Sequence, residues 1–171
     1  MFPDLPPDPP ALVAEAPLKL SGELRRNNLV PGRSTPPTAH CVLRESARNG
    51  IDPMVLLAVL KTEDGRAGEL ALNTDGSIDL GPMSVNSVWV PTLARRYGVS
   101  EPEIKRKLAT DGCVNVAAGA WILGQKISER GSVWDGVAHF HSANPRLQAP
   151  YLLRVAERFE RLVRRFSGGL G

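Results

Sequence analysis

The chain has 171 residues, 42% of them hydrophobic and 23% charged, with a net charge of +3 and a pI near 9.1. That length fits one domain plus an extension around a helical core. The mild basic bias gives no electrostatic footprint for nucleic acid, and no apolar run approaches the roughly 20 residues of a bilayer span. Met1–Pro7 carry neither a basic n-region nor an apolar h-region, so no signal peptide is visible.

Residues 1–37 hold nine of the fifteen prolines and few large apolar side chains. They read as an extended or disordered arm, docked in part around Leu18–Leu24. Folded signal begins at Thr38, an N-cap for a helix that Gly50 ends, and the folded domain is expected over 38–171. The next stretch, Pro53–Leu60, is apolar on all faces and predicts a buried central helix, with Asp52 as its cap and Pro53 in the first turn. It runs through Lys61 and Thr62 to Glu63, with Gly65 as the expected stop. A carboxylate there meets the negative end of the helix dipole and apolar neighbours, and both disfavour its ionised form. An acid still partly protonated near neutral pH can donate a proton to a leaving oxygen, which is the requirement for glycosidic cleavage.

Residues 64–86 are rich in Gly, Asp, Asn and Ser around an Asp75-Gly76 turn, and predict a structured loop or small hairpin. Further helices are expected up to Tyr97, from the Ser100–Glu103 capping box to about Ala109, over 113–129 behind Asp111, near Ser132–His139, and over Pro150–Phe166 with Tyr151 at its start. Trp89, Trp121 and Trp134 are assigned to the core. Arg154, Arg158, Arg161 and Arg165 form a basic, solvated helix face. Cys41 and Cys113 are either two unrelated buried thiols or one disulfide. His40, His139 and His141 form no ligand pattern with them, so no metal and no other cofactor is expected.

Three ordered segments carry more information together. They are Leu56–Gly65, Asn73-Thr74-Asp75-Gly76-Ser77-Ile78-Asp79-Leu80-Gly81-Pro82-Met83-Ser84-Val85-Asn86-Ser87, and Val137-Ala138-His139-Phe140-His141-Ser142 with Tyr151 and Val155 after it. In this order and spacing, residues 38–160 resemble the soluble lytic transglycosylase family, most of all the small members that accompany secretion, pilus and conjugation machines. The resemblance implies a mainly α, lysozyme-like fold with one elaborated loop or hairpin after the catalytic helix. It also implies a lyase acting on peptidoglycan glycan strands in the periplasm, with Glu63 as the single acid and base. Met83, Ser84, Asn86, Phe140, His141 and Tyr151 fall on substrate-binding positions, with Met83 on the cleft floor. The Asp111-Gly112-Cys113-Val114-Asn115 context implies that Cys113 pairs with Cys41. A periplasmic location then calls for a start upstream of Met1, a trimmed sequence or another export route.

This chain departs from the family at Ser84, where Gln is usual, at Asp64, where Ser is usual, and at Phe140, where Tyr is usual. Ser84 is expected to retune substrate binding. Asp64 is expected to raise the Glu63 pKa further if both carboxylates face the same way. Two alternatives follow: a hydrolytic muramidase of the same fold, and a non-catalytic wall-binding or assembly protein.

Overall fold

The computed structural model describes residues 33–167. The expected docking around Leu18–Leu24, and most of the proline-rich arm, lie outside the described residues. Its last residues are tied to the domain: the Thr35 N–H donates to the Thr110 carbonyl (2.8 Å), and the Gly112 N–H donates to the Thr35 carbonyl (2.7 Å).

Helices α1 (Ala39–Asn49) and α2 (Pro53–Glu63) come first. A small sheet of β1 (Leu70–Leu72), β2 (Ile78–Leu80) and β3 (Val85–Asn86) follows, then a 3-10 turn over Ser87–Trp89. The remainder is helical: α3 (Val90–Tyr97), α4 (Glu101–Thr110), α5 (Gly112–Arg130), α6 (Val133–His141) and α7 (Pro145–Ser167). The result is mainly α with one small antiparallel sheet after the second helix, consistent with the lysozyme-like class expected from the sequence.

Local chemistry explains most boundaries. Thr38, Asp52, Ser100, Asp111 and Ser132 each accept backbone N–H bonds at a helix start, which satisfies donors that have no partner inside the helix. Asp75 turns the β1–β2 hairpin, its carboxylate accepting from both the N–H and the hydroxyl of Ser77. Strand β2 pairs antiparallel with β1 and β3, so the sheet order is β1-β2-β3.

Two expectations need correction. The last helix starts at Pro145, not Pro150, because Asn144 caps it: its side-chain oxygen accepts from the Arg146 N–H at 3.1 Å. Pro145 suits the first turn, and Pro150 forfeits only one helical bond in the second. Tyr151 therefore sits inside the helix. At the end of α2 the left-handed residue is Asp64 (φ 54°), not Gly65. Gly65 is needed for a different reason, because a Cβ there would overlap the Gly81 carbonyl oxygen.

The core lies between α2, α5, α6 and α7. Val55, Leu56, Ala58 and Val59 of α2 are fully buried, with α1 and α7 packed against that helix. Helix α5 carries Val116, Ala118, Ala120 and Leu123 into the same core. The Cys41–Cys113 disulfide joins α1 to the first turn of α5, with a Cα–Cα distance of 5.6 Å. Asn115, also fully buried, fastens the loop before β3 to α5. Its amide donates to the carbonyls of Leu80 (2.6 Å) and Leu108 (2.9 Å), and its oxygen accepts from the Met83 N–H (2.7 Å).

Candidate active site

Burying α2 fixes where its last residue can go. Glu63 emerges at the C-terminal end of a helix immobilised by its own apolar side chains, and its carboxyl lines a cleft of about 430 Å³. The β1–β2 hairpin lines the same cleft with Asn73, Asp75, Ser77 and Asp79, and the chain after it with Ser84, Val85 and Asn86. Phe140, His141 and Ser142 at the end of α6 come from the other direction, with Trp89, Ile122 and Leu147 completing the lining. All three sequence segments therefore converge on one cavity.

Glu63 is held by two hydroxyls. Tyr151 donates to its Oε1 at 2.6 Å across 88 residues of sequence, and Ser84 supplies a second side-chain hydrogen bond. Burial dominates its ionisation and pushes the carboxyl from 4.5 up to about 7. The two hydroxyl bonds pull against that shift, the negative charge of Asp79 adds to it, and the Arg154 guanidinium opposes it. The neighbouring carboxylate that acts on Glu63 is thus Asp79 rather than Asp64. Asp64 sits exposed in the left-handed cap position and lines a different hollow. Near neutral pH the group is divided between acid and carboxylate, so it can both give and take a proton.

Tyr151 is 1% exposed, so it meets Glu63 from inside the fold and does not line the cleft. Its ring stacks on His141, with centroids 4.1 Å apart and planes at 1°, and Arg154 lies over the ring at 5.9 Å. Burial lowers the His141 pKa, and Arg154 lowers it further. The charge of Asp79 opposes both, and the net direction favours the neutral ring.

The other expected site residues divide. Ser84 lines the cleft with a left-handed backbone (φ 48°), an uncommon conformation for a residue with a side chain. Phe140 offers a half-buried aromatic wall. Asn86 lines the cleft too, but its amide is engaged internally: it donates to Ser77 Oγ and Asp79 Oδ1 (each 2.9 Å) and accepts from the Val88 N–H. It orders the polar wall. Met83 is fully buried, packs against Gly119 of α5 and lines no part of the cleft, so its work is packing beneath the surface.

Trp89 packs against the core, as expected, but the core does not cover it. It is half-buried, lines the cleft, and meets Trp121 edge-to-face at 6.0 Å. A half-buried indole on the wall of a polar cleft is suited to a sugar face, whose C–H groups stack on aromatic rings. The available signal was its position three residues after Asn86, which caps the 3-10 turn that swings Trp89 into place. Asp79, expected to order the loop or to serve as a second carboxylate, both accepts from Asn86 and lines the cleft, and Asn73 and Ser77 of the same motif line it too. Among the described residues no cluster of His, Cys, Asp and Glu could hold a metal ion.

No family model matches this chain. It is similar to curated proteins named invasion protein IagB. It is 28% identical over 131 residues to that of Salmonella typhimurium strain SL1344, covering 76% of this chain and 79% of the relative, with the same values for strain LT2. The Salmonella typhi protein of that name is 29% identical over 129 residues, covering 72% of this chain and 78% of the relative.

No described helix is long and apolar enough to cross a membrane. The cleft itself is polar and acidic, lined by Glu63, Asp75 and Asp79.

Proposed function

We propose that this protein is a peptidoglycan lytic transglycosylase that cleaves the β-1,4 bond between N-acetylmuramic acid and N-acetylglucosamine, with Glu63 as its acid and base. The observation that carries this is a buried carboxyl, raised to about 7, lining a polar cleft. In the first step the Glu63 proton moves to the glycosidic oxygen, the C1–O bond breaks, and the glucosamine side leaves with a free hydroxyl. The muramyl C1 is left with oxocarbenium character, stabilised by the substrate's own acetamido group. The Glu63 carboxylate then takes the proton of the muramyl C6 hydroxyl as that oxygen attacks C1. A 1,6-anhydro ring forms and Glu63 is reprotonated, with no water consumed. Ser84 and Tyr151 hold the carboxyl through both steps, while Trp89, Phe140 and His141 frame the sugar. The work belongs in the periplasm, where the Cys41–Cys113 disulfide persists. There it opens the wall locally for a secretion, pilus or conjugation apparatus, and the invasion-protein relatives are in keeping with that setting.

A second mechanism has an observation in its favour. Asp79 lines the same cleft and bears electrostatically on Glu63, so a second carboxylate stands ready to support a water-dependent muramidase reaction. Digestion of purified peptidoglycan, with mass spectrometry of the soluble muropeptides, separates the two. Anhydro-muramyl ends, lighter by one water, are expected; reducing muramyl ends would replace the transglycosylase by the hydrolase.

A further inference from the structure

The cleft wall continues past Trp89 into a row of rings and cations that the proposed chemistry does not use. Trp89 meets Trp121 of α5 edge-to-face, and the Arg96 guanidinium of α3 lies over the Trp121 ring, 4.6 Å from its centroid. Lys126, further along α5, holds its ammonium 5.9 Å from the centroid of the Trp89 ring. Both indoles are half-buried, so each shows part of its surface to solvent, and Arg96 is exposed. Ile122, next to Trp121 on α5, lines the cleft, so the row and the cleft share that helix as well as Trp89.

Charge changes sign along this wall. Glu63, Asp75 and Asp79 line the cleft, whereas the two groups stacked on the row outside its lining are both cations. Lys126 pairs with Glu129 at 2.8 Å, a contact with a largely exposed partner that water screens. Arg96 pairs with no carboxylate among the described residues. Stacking engages the face of its guanidinium and not the in-plane N–H fork, which is the part that takes a carboxylate in two hydrogen bonds. Trp121, with Trp89 against it and Arg96 on its ring, holds that cation at a set reach from the sugar platform.

We propose, on the peptidoglycan reading above, that Trp121, Arg96 and Lys126 form a subsite for the carboxylates of the peptide stems carried by the glycan strand. Muramyl sugars bear short peptides with several carboxylates, so a strand with a sugar against Trp89 presents acids beside it. The acidic cleft repels those groups and the neighbouring cations attract them, which fixes how the strand lies across the site. The sugar backbone then belongs to the cleft, and the peptide stems to the row beyond Trp89.

The test reads binding rather than cleavage, in a Glu63→Gln background so that the strands stay whole. The probes are soluble glycan strands with their peptide stems, and the same strands after the stem carboxylates are converted to amides. Native strands should bind more tightly than amidated ones, and Arg96→Gln should weaken native binding about three- to tenfold. Lys126→Gln should act in the same direction, and Arg96→Lys should retain part of the affinity. None of these variants should alter the affinity for amidated strands, and thermal melts show whether each remains folded. Equal affinity for native and amidated strands would overturn the inference. So would an Arg96→Gln protein that loses stability but keeps the full preference for native strands, since the row would then only staple α3 to α5. Either result leaves the peptidoglycan reading standing, whereas strands that bind in neither form would overturn both.

Discussion

The cleft and the second hollow, which Asp64 lines, share the end of α2 yet differ in size, charge and lining. The smaller hollow is polar and acidic, holding Glu63, Asp75 and Asp79 between the sheet and the end of α6. The larger, of about 690 Å³ among the described residues, is apolar with a basic rim, set between α2 and the end of α7. Volume alone would select the larger. Chemistry selects the cleft, because only there does a carboxyl buried enough to stay partly protonated meet hydroxyl donors in open space. The helix end divides the two hollows: one residue, Glu63, points to chemistry, and the next, Asp64, turns the backbone away.

The comparison can be broken most severely at Glu63. Glu63→Gln keeps the shape and an acceptor for Tyr151 but removes the proton, so muropeptide release should fall by about 10²–10⁴-fold. Cleavage that survives at wild-type rate would move the chemistry out of this role. The disulfide comes next, since α1 walls the larger hollow and α5 contributes Ile122 to the cleft. Opening a cross-link that closes a loop of 72 residues should cost about 4 kcal/mol by the chain-entropy account. Cys113→Ser should show that loss in denaturant melts, with the cleft chemistry retained while the protein remains folded.

Glu63 also makes stability depend on pH. Its folded pKa of about 7 lies above the ordinary 4.5, so the protonated form favours the fold. That contribution is complete below about 4.5 and is lost as pH rises through 7. At about 1.4 kcal/mol per pH unit the loss is at most about 3 kcal/mol. Glu63→Gln should therefore be more stable than wild type at pH 8 and close to it at pH 4; equal stability at both would mean a solvated carboxylate. The smallest effect is expected at Tyr151. Its hydroxyl favours the ionised carboxylate, so Tyr151→Phe should raise the Glu63 pKa and carry the basic limb of the pH–rate profile upward by about a unit. An unmoved limb would make the tyrosine a packing residue only.

Much of this was legible in the sequence. Apolar residues on every face of Pro53–Leu60 meant burial whatever the partners, and Thr38, Asp52, Ser100 and Asp111 mark helix starts by chemistry that acts within one turn. What was not legible depended on distant contacts. Pro150 looks like a helix start until Asn144 and Pro145 are seen capping an earlier turn. Gly65 looks like a cap, yet it is small because the Gly81 carbonyl presses on it. Met83 and Trp89 lie on either side of Asn86, and only the packing of α5 decides which is covered and which faces the cleft. The Tyr151–Glu63 bond spans 88 residues, and no local pattern encodes it. The separation of Asp64 from Glu63 rests on a single left-handed residue, which sequence spacing does not reveal.

The most direct test of the account is the ionisation of Glu63 itself, followed by carbon-13 NMR of its side-chain carboxyl from pH 3 to 9 in the folded, disulfide-bonded protein. A midpoint near 7 is expected, absent in Glu63→Gln. A midpoint near the ordinary 4.5 would contradict it, because a carboxylate fully ionised at neutral pH has no proton to give to the leaving oxygen.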